Sequence, residues 1–243
     1  MIAQPGAVQR RHAEVRGAAV AWLIAGLMWF ALEALSAAVF PAYSYARNYI
    51  SDLGVPFTME SGGRQIGSPR HAAMNFNFIA HGLLFLLGGF FVFRATAGTP
   101  RRARSVFLGL AIVYAIGSAL VGTFHGSAQA AADGTSRLHV LGAGMSIVGG
   151  NIAIIIAGRH ARRLGASDSY CTASVVIGTL GLVCLLMLQT ANPFGITGAW
   201  ERGSVYSITL WEIFTGIAIL IAARRRALAS SSAPGRAATR QAG

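Results

Sequence analysis

Lysine is absent from this 243-residue chain, and all 20 basic residues are arginine. Asp and Glu together number only 8, and charged residues make up 12%, against about 25% in an ordinary soluble domain. So little charge cannot cover a surface that faces water, which points to a protein solvated by lipid. The two cysteines, Cys171 and Cys184, fall in one apolar run. Thirteen residues of helix separate them by roughly 20 Å, too far for a disulfide. So low a count also excludes a Cys-rich metal motif. The chain has no P-loop, no dinucleotide-binding glycine pattern, no nucleic-acid motif and no internal repeat. A net charge of +12 and a pI near 11.3 would suggest nucleic acid in a soluble protein. Here the arginines flank apolar segments instead, and no nucleic-acid partner is expected.

What the chain has is apolar length. It is 54% hydrophobic with a mean hydropathy of +0.55. Six apolar runs, near 18–41, 73–94, 105–124, 139–158, 170–191 and 203–223, suffice to cross roughly 30 Å of hydrocarbon. Backbone groups in hydrocarbon must be paired within their own segment, so each run is expected to be a helix. The fold class is all-α: a polytopic membrane bundle of six transmembrane helices spanning 18–223, between an N-terminal tail (1–17) and a basic C-terminal tail (224–243). Residues 1–15 and the tail from Ser230 to Gly243 are too polar to pack and are expected to be disordered. The first run exceeds the 7–15 residues of a signal-peptide core and is read as a retained span.

The arginines sort by loop. Fifteen flank the termini and the second and fourth connections: Arg10, Arg11, Arg16, Arg94, Arg101, Arg102, Arg104, Arg159, Arg162, Arg163, Arg224, Arg225, Arg226, Arg236 and Arg240. The other side has five: Arg47, Arg64, Arg70, Arg137 and Arg202. By the positive-inside rule both termini are cytoplasmic and the chain is a multi-pass protein of the cell membrane. The outer connections, 42–72, 125–138 and 192–202, are the polar, turn-rich ones, so function is sought on that face.

Ionisable residues inside the spans are few. Glu33, His81 and Glu212 each fall eight or nine residues from the outer end of an expected span, about 12 Å deep at helical rise. Intramembrane charges are costly and face the bundle interior. These three are the candidate catalytic residues, fit to relay protons or do acid–base work. Hydrogen bonding between helices is the alternative role. Asn77 shares a helix face with His81. A metal site is not assigned, because no paired ligand spacing such as HExxH occurs. No cofactor is assigned either. Nearer the rim lie Arg47, Ser51, Asp52, His125, His139, Glu201 and Arg202. Of these, Arg47, Asp52, His139, Glu201 and Arg202, with Asn77, are the candidate ligand-binding residues. Asp52 with Arg202, or Arg47 with Glu201, are the expected ion pairs, and Ser51-Asp52 is also suited to capping a short turn. A serine triad is disfavoured, since no GxSxG elbow exists. Gly142, Ser146 and Gly150 form a small-residue face for close helix packing, with Asn151 beside it. Tyr43, Tyr45, Tyr49, Trp200 and Tyr206 read as an interfacial aromatic belt.

Three stretches carry a family resemblance: YARNYISDLG after the first span, HVLGAGMSIVGGNIAII in the fourth, and WERGSVYSITLWEIFTG at the sixth. Together they resemble the prokaryotic six-helix membrane family known as domain of unknown function 998. The matching positions are Arg47, Ser51, Asp52, Gly54, His139, Asn151, Glu201 and Arg202, and the insert around Met59–Pro69 is less typical. The resemblance implies a six-helix integral membrane protein and brings no reaction with it.

Three functions stay open. One is an outward-facing polar pocket for a lipid or small molecule, with or without catalysis. Another is a structural or assembly protein. The third is a proton-coupled transporter, disfavoured by the absence of inverted repeats. Membrane lipid is the one partner expected outright; protein partners are not indicated. The topology has a direct test. A reporter that is active only outside the cytoplasm, fused after Gly243, should stay silent; strong activity would reverse the orientation.

Overall fold

The computed structural model describes residues 5–61, 63–97 and 101–231. Seven α-helices are present among them: α1 (Pro5–Ala37), α2 (His71–Ala95), α3 (Arg101–Thr123), the short α4 (Ala128–Ala132), α5 (Ser136–Ala161), α6 (Asp168–Leu186) and α7 (Thr197–Ser231). All but α4 belong to six segments long and apolar enough to cross a membrane, Gln9–Ala37, His71–Ala95, Arg101–Thr123, Ser136–Leu164, Asp168–Thr190 and Thr197–Ala229. Proline placement explains how such long helices survive. Pro5 opens α1, Pro100 directly precedes α3, and Pro41, Pro56, Pro69 and Pro193 lie in connections, so no described helix loses an interior hydrogen bond to proline.

The helices extend beyond the apolar runs. The α1 helix begins at Pro5 and α7 continues to Ser231, taking helix into both segments expected to be disordered. A polar helical end needs no lipid, only continued backbone pairing from the span it extends. Residues 1–4 and 232–243, the rest of the expected tails, lie outside the described residues. At the other face α1 stops at Ala37, four residues short of the expected end, and α7 starts at Thr197, six residues early.

The helices pack in the neighbour order α1–α2–α3–α5–α6–α7, and α7 returns against α1. Where α3 meets α5 the backbones nearly touch. A Cβ on Gly117 would lie 2.6 Å from the Gly142 carbonyl, and one on Gly142 would lie 2.7 Å from the Gly117 carbonyl. Small residues allow this approach in a medium that gives little hydrophobic drive between helices. Asn151 locks α5 to α7: its Nδ2 donates to the Ser204 carbonyl at 2.9 Å and its Oδ1 accepts from Ser207 Oγ at 2.7 Å. On the side of the termini the core is aromatic, with Trp22, Phe85, Phe107 and Trp211 in mutual ring contact. Cys171 and Cys184 are free.

The opposite face, called distal here, carries the connections of 38–70, 124–135 and 187–196. The first includes a 3₁₀ turn at Ser51–Gly54 and a small antiparallel hairpin, β1 (Met59–Ser61) with β2 (Arg64–Ile66), which periodicity did not foretell. The turn is seated by its own sequence. Ile50 and Leu53 are buried against Trp29, Met74 and Phe78. The Asp52 carboxylate accepts from Tyr49 N at 3.0 Å and from Asn48 Nδ2 at 3.2 Å, bonding back to the segment before the turn; Ile50, at the turn's N-cap, makes no side-chain cap bond. The Gly54 carbonyl accepts from Asn75 Nδ2 at 2.9 Å. The α6–α7 link begins with a widened π turn at Met187–Ala191 and turns through left-handed Asn192 and Phe194.

The close α3–α5 crossing predicts a contrast within one helix. Gly117→Leu should lower stability by about 1–3 kcal/mol through overpacking. Gly109→Leu, at a position with nothing within 4 Å, should be nearly silent in detergent unfolding.

Candidate functional site

Glu33, His81 and Glu212 all point into the bundle, each 0–1% exposed. Counted from the distal helix ends, Glu33 is four residues in on α1, His81 ten on α2 and Glu212 fifteen on α7. The three fall into two clusters joined by Trp29, which donates to Glu33 and packs against His81.

The shallower cluster is built on Arg202, which is deeply set rather than at a rim. Its guanidinium meets Glu33 Oε1 through Nε at 3.1 Å and Nη2 at 3.0 Å. Nη1 donates to the carbonyls of Tyr45 at 2.7 Å, Asn48 at 2.8 Å and Gly198 at 3.1 Å. Nη2 also donates to the Tyr43 hydroxyl, and the guanidinium lies over the Tyr45 ring, 4.7 Å from its centroid. Glu33 accepts further from Tyr206 Oη at 3.0 Å and from Trp29 Nε1 at 3.1 Å. This carboxylate is fully engaged. Burial raises the Tyr43 phenol above its ordinary range, so it stays protonated and donates to the Tyr49 carbonyl at 3.2 Å while accepting from Arg202.

Several expected contacts are therefore replaced. Arg202 pairs with Glu33 and not with Asp52, because the 3₁₀ turn orients Asp52 toward Asn48 and Tyr49. Glu201 pairs with the backbone N–H of Ile50, not with Arg47, which is exposed and holds Thr197 Oγ1 only through its carbonyl, at 2.7 Å. The first connection is tied to α7 by carbonyls and an N–H rather than by a charge pair across the rim. Tyr43 and Tyr206 hydrogen-bond within the Arg202–Glu33 cluster.

The deeper cluster holds the other two groups. His81 Nε2 lies 2.7 Å from Glu212 Oε2, with both side chains at 0% exposure. The ring N–H is poorly aligned to that oxygen, and neither Glu212 oxygen has a well-directed donor. His81 Nδ1 is 2.8 Å from Tyr114 Oη. Trp29 packs edge-on against the imidazole, centroids 4.7 Å apart, and so touches both clusters. Asn77, fully buried, donates from Nδ2 to the Trp29 carbonyl at 3.2 Å, while its Oδ1 has no partner.

Between the clusters and the distal face is a cavity of about 40 Å³, room for a few waters. Ser51, His139 and Glu201 line it toward the distal loop, and Trp29, Tyr114, Ser118 and Ser146 line it deeper in the bundle. His139 Nδ1 is fixed against the Phe124 carbonyl at 2.7 Å. Trp29 and Tyr114 were not expected from the sequence, and Tyr206 was expected only as part of an aromatic belt. Two had a usable signal, since Trp29 is one turn from Glu33 and Tyr206 one turn from Arg202 on the same helical faces; Tyr114 stood in an apolar run with nothing to mark it. Among the described residues no three His, Cys, Asp or Glu side chains converge as a metal would need.

Six membrane-length helices around a buried Arg202–Glu33 ion pair and a buried His81–Glu212 contact define a multi-pass membrane bundle. The chain belongs to the family described as protein of unknown function (DUF998), whose model matches residues 23–218. No curated protein and no solved structure matches the chain.

Removing one member of a buried pair strands the other, at a cost of about 3–5 kcal/mol. Glu33→Leu and Arg202→Met should each lose about that much in detergent unfolding, and the double variant should lose less than their sum. Arg47→Ala, at an exposed position, should stay within about 0.5 kcal/mol of the parent.

Proposed function

We propose that this is a cell-membrane protein that admits a small polar molecule from outside into a pocket between the first outer loop and the buried His81–Glu212 pair. The observation that carries this reading is the cavity. Its lining includes Ser51, His139 and Glu201 near the distal face and Tyr114, the hydrogen-bond partner of His81. The arginine bias supports the distal face as the outer one. A volume of about 40 Å³ favours a water-sized guest over a lipid chain. Lipid then acts as solvent for the bundle rather than as its ligand.

The two clusters take different roles in this reading. Glu33 is saturated by Arg202, Tyr206 and Trp29; it holds structure and has no capacity left for a ligand. Arg202 is its structural counterpart. His81 and Glu212 keep unsatisfied capacity next to the pocket and are the groups suited to acid–base work. Ser51, His139 and Glu201 contact the guest at the mouth, and Arg47 and Asp52 do not.

Accessibility tests the pocket. With Cys171 and Cys184 replaced by serine, Ser51→Cys and Ser146→Cys should react in intact cells with silver ion added outside, a thiol-reactive cation small enough for a water-sized cavity. Ala111→Cys, among the buried residues of the aromatic core, should not. Unreactive Ser51→Cys and Ser146→Cys variants, or reaction only in inverted vesicles, would refute an outward pocket.

A further inference from the structure

We propose that His81 and Glu212 form a proton-binding site, loaded from the distal side through Tyr114 and the cavity. The proposal rests on the pocket reading for its route and on the pair's own geometry for its chemistry.

The two buried carboxylates have partners of different kinds. Glu33 faces an arginine, which does not release its proton in proteins, so that pair carries a fixed, cancelling charge. Glu212 faces an imidazole, the one side chain whose ordinary range lies near neutrality. The charge of this second pair is set by how many protons it holds. With one proton the pair is neutral overall, wherever the proton sits. With two, the imidazolium and the carboxylic acid together carry +1.

Charged or titratable groups around the pair are few. On α1, Glu33 is separated from His81 by Trp29 and is compensated by Arg202 of α7. Helix α3 contributes Tyr114, and α5 contributes His139 at the far end of the cavity. From α7 come Glu212 itself, Tyr206, which is bonded to Glu33, and Glu201, which lines the cavity mouth and accepts from the Ile50 N–H. On α6, Tyr170 Oη is 3.0 Å from Thr215 Oγ1 and Ser174 Oγ accepts from Trp211 Nε1 at 3.0 Å. No other fixed charge among the described residues opposes or traps a second proton.

A route exists on one side. Tyr114 lines the cavity and lies 2.8 Å from His81 Nδ1. From the one-proton state with Glu212 as the acid and the ring proton on Nε2, a hydronium in the cavity gives a proton to Tyr114 Oη as that oxygen passes its own to Nδ1. An imidazolium is left 2.7 Å from the Glu212 carboxylic acid. Two O–H bonds break while one O–H and one N–H form, the pair goes from neutral to +1, and the hydronium ends as water. Toward the termini, Trp22, Phe85, Phe107 and Trp211 offer no comparable chain of hydroxyls. Trp29 is placed to sense the change, since it touches the imidazole and donates to Glu33.

Infrared difference spectra of the full chain in nanodiscs, taken between about pH 4 and pH 9, test this. A carboxylic-acid C=O band should grow on acidification, shift in D₂O, vanish in Glu212→Gln and persist in Glu33→Gln. Tryptophan emission should fall over the same range in the parent and not in Trp29→Phe. Ser118→Leu, which fills the cavity without touching the pair's carboxylate, should slow deuterium exchange of the band at least tenfold. A band that never moves in the folded parent overturns the proton site, even where silver ion reaches Ser146→Cys and the pocket stands. Unchanged exchange in Ser118→Leu overturns the distal route.

Discussion

Everything on the distal side of this bundle depends on one buried guanidinium. Arg202 sits where water cannot solvate it, so its donors must find acceptors inside the protein. It finds a carboxylate on α1, three carbonyls and a phenol. Two of those carbonyls, Tyr45 and Asn48, belong to the first connection, and so one side chain joins α1, α7 and the loop between α1 and α2. The loop is held down because releasing it would leave a charge in low dielectric with unpaired donors. Glu201, one residue earlier, adds a second tie through the Ile50 N–H.

That arrangement creates the cavity as a by-product. The 3₁₀ turn of Ser51–Gly54 is pinned above the bundle by Glu201, Asn75 and the burial of Ile50 and Leu53. Below it α3 and α5 are drawn together at Gly117 and Gly142, and Trp29 and Tyr114 form the floor. Small hydroxyl residues, Ser118 and Ser146, leave room where larger ones would have closed the core. The structure thus separates a saturated ion pair, which anchors, from the His81–Glu212 pair, which adjoins open volume. Trp29 stands between them, in contact with both.

The broad architecture was legible because it follows from one-dimensional quantities. Apolar length specifies helices in lipid, and prolines confined to ends and connections leave those helices whole. Packing along Gly142, Ser146 and Gly150 and the presence of a bonding Asn151 beside that seam were readable, since each is a local rule applied to a short pattern. Burial of Glu33, His81 and Glu212 followed from the cost of charge in hydrocarbon. Their partners did not follow. Helix ends moved by four to six residues on the distal face, and the three groups divide between two partners, Arg202 for Glu33 and each other for His81 and Glu212.

By itself, then, the sequence determined that the chain crosses a membrane as a helical bundle and that a handful of ionisable groups lie inside it, because hydrophobic length and desolvation act on each segment alone. Tertiary structure decided which charge meets which. Arg202 was free by sequence to pair with Asp52 and instead reaches Glu33, because Asp52 bonds back to the Asn48 side chain and the Tyr49 N–H. His81 was free to be a lone buried histidine and instead meets Glu212 and Tyr114, because α2, α3 and α7 converge at that depth. Pairing depends on the rotation and register of helices against one another, and those are set by side-chain packing among segments far apart in the chain.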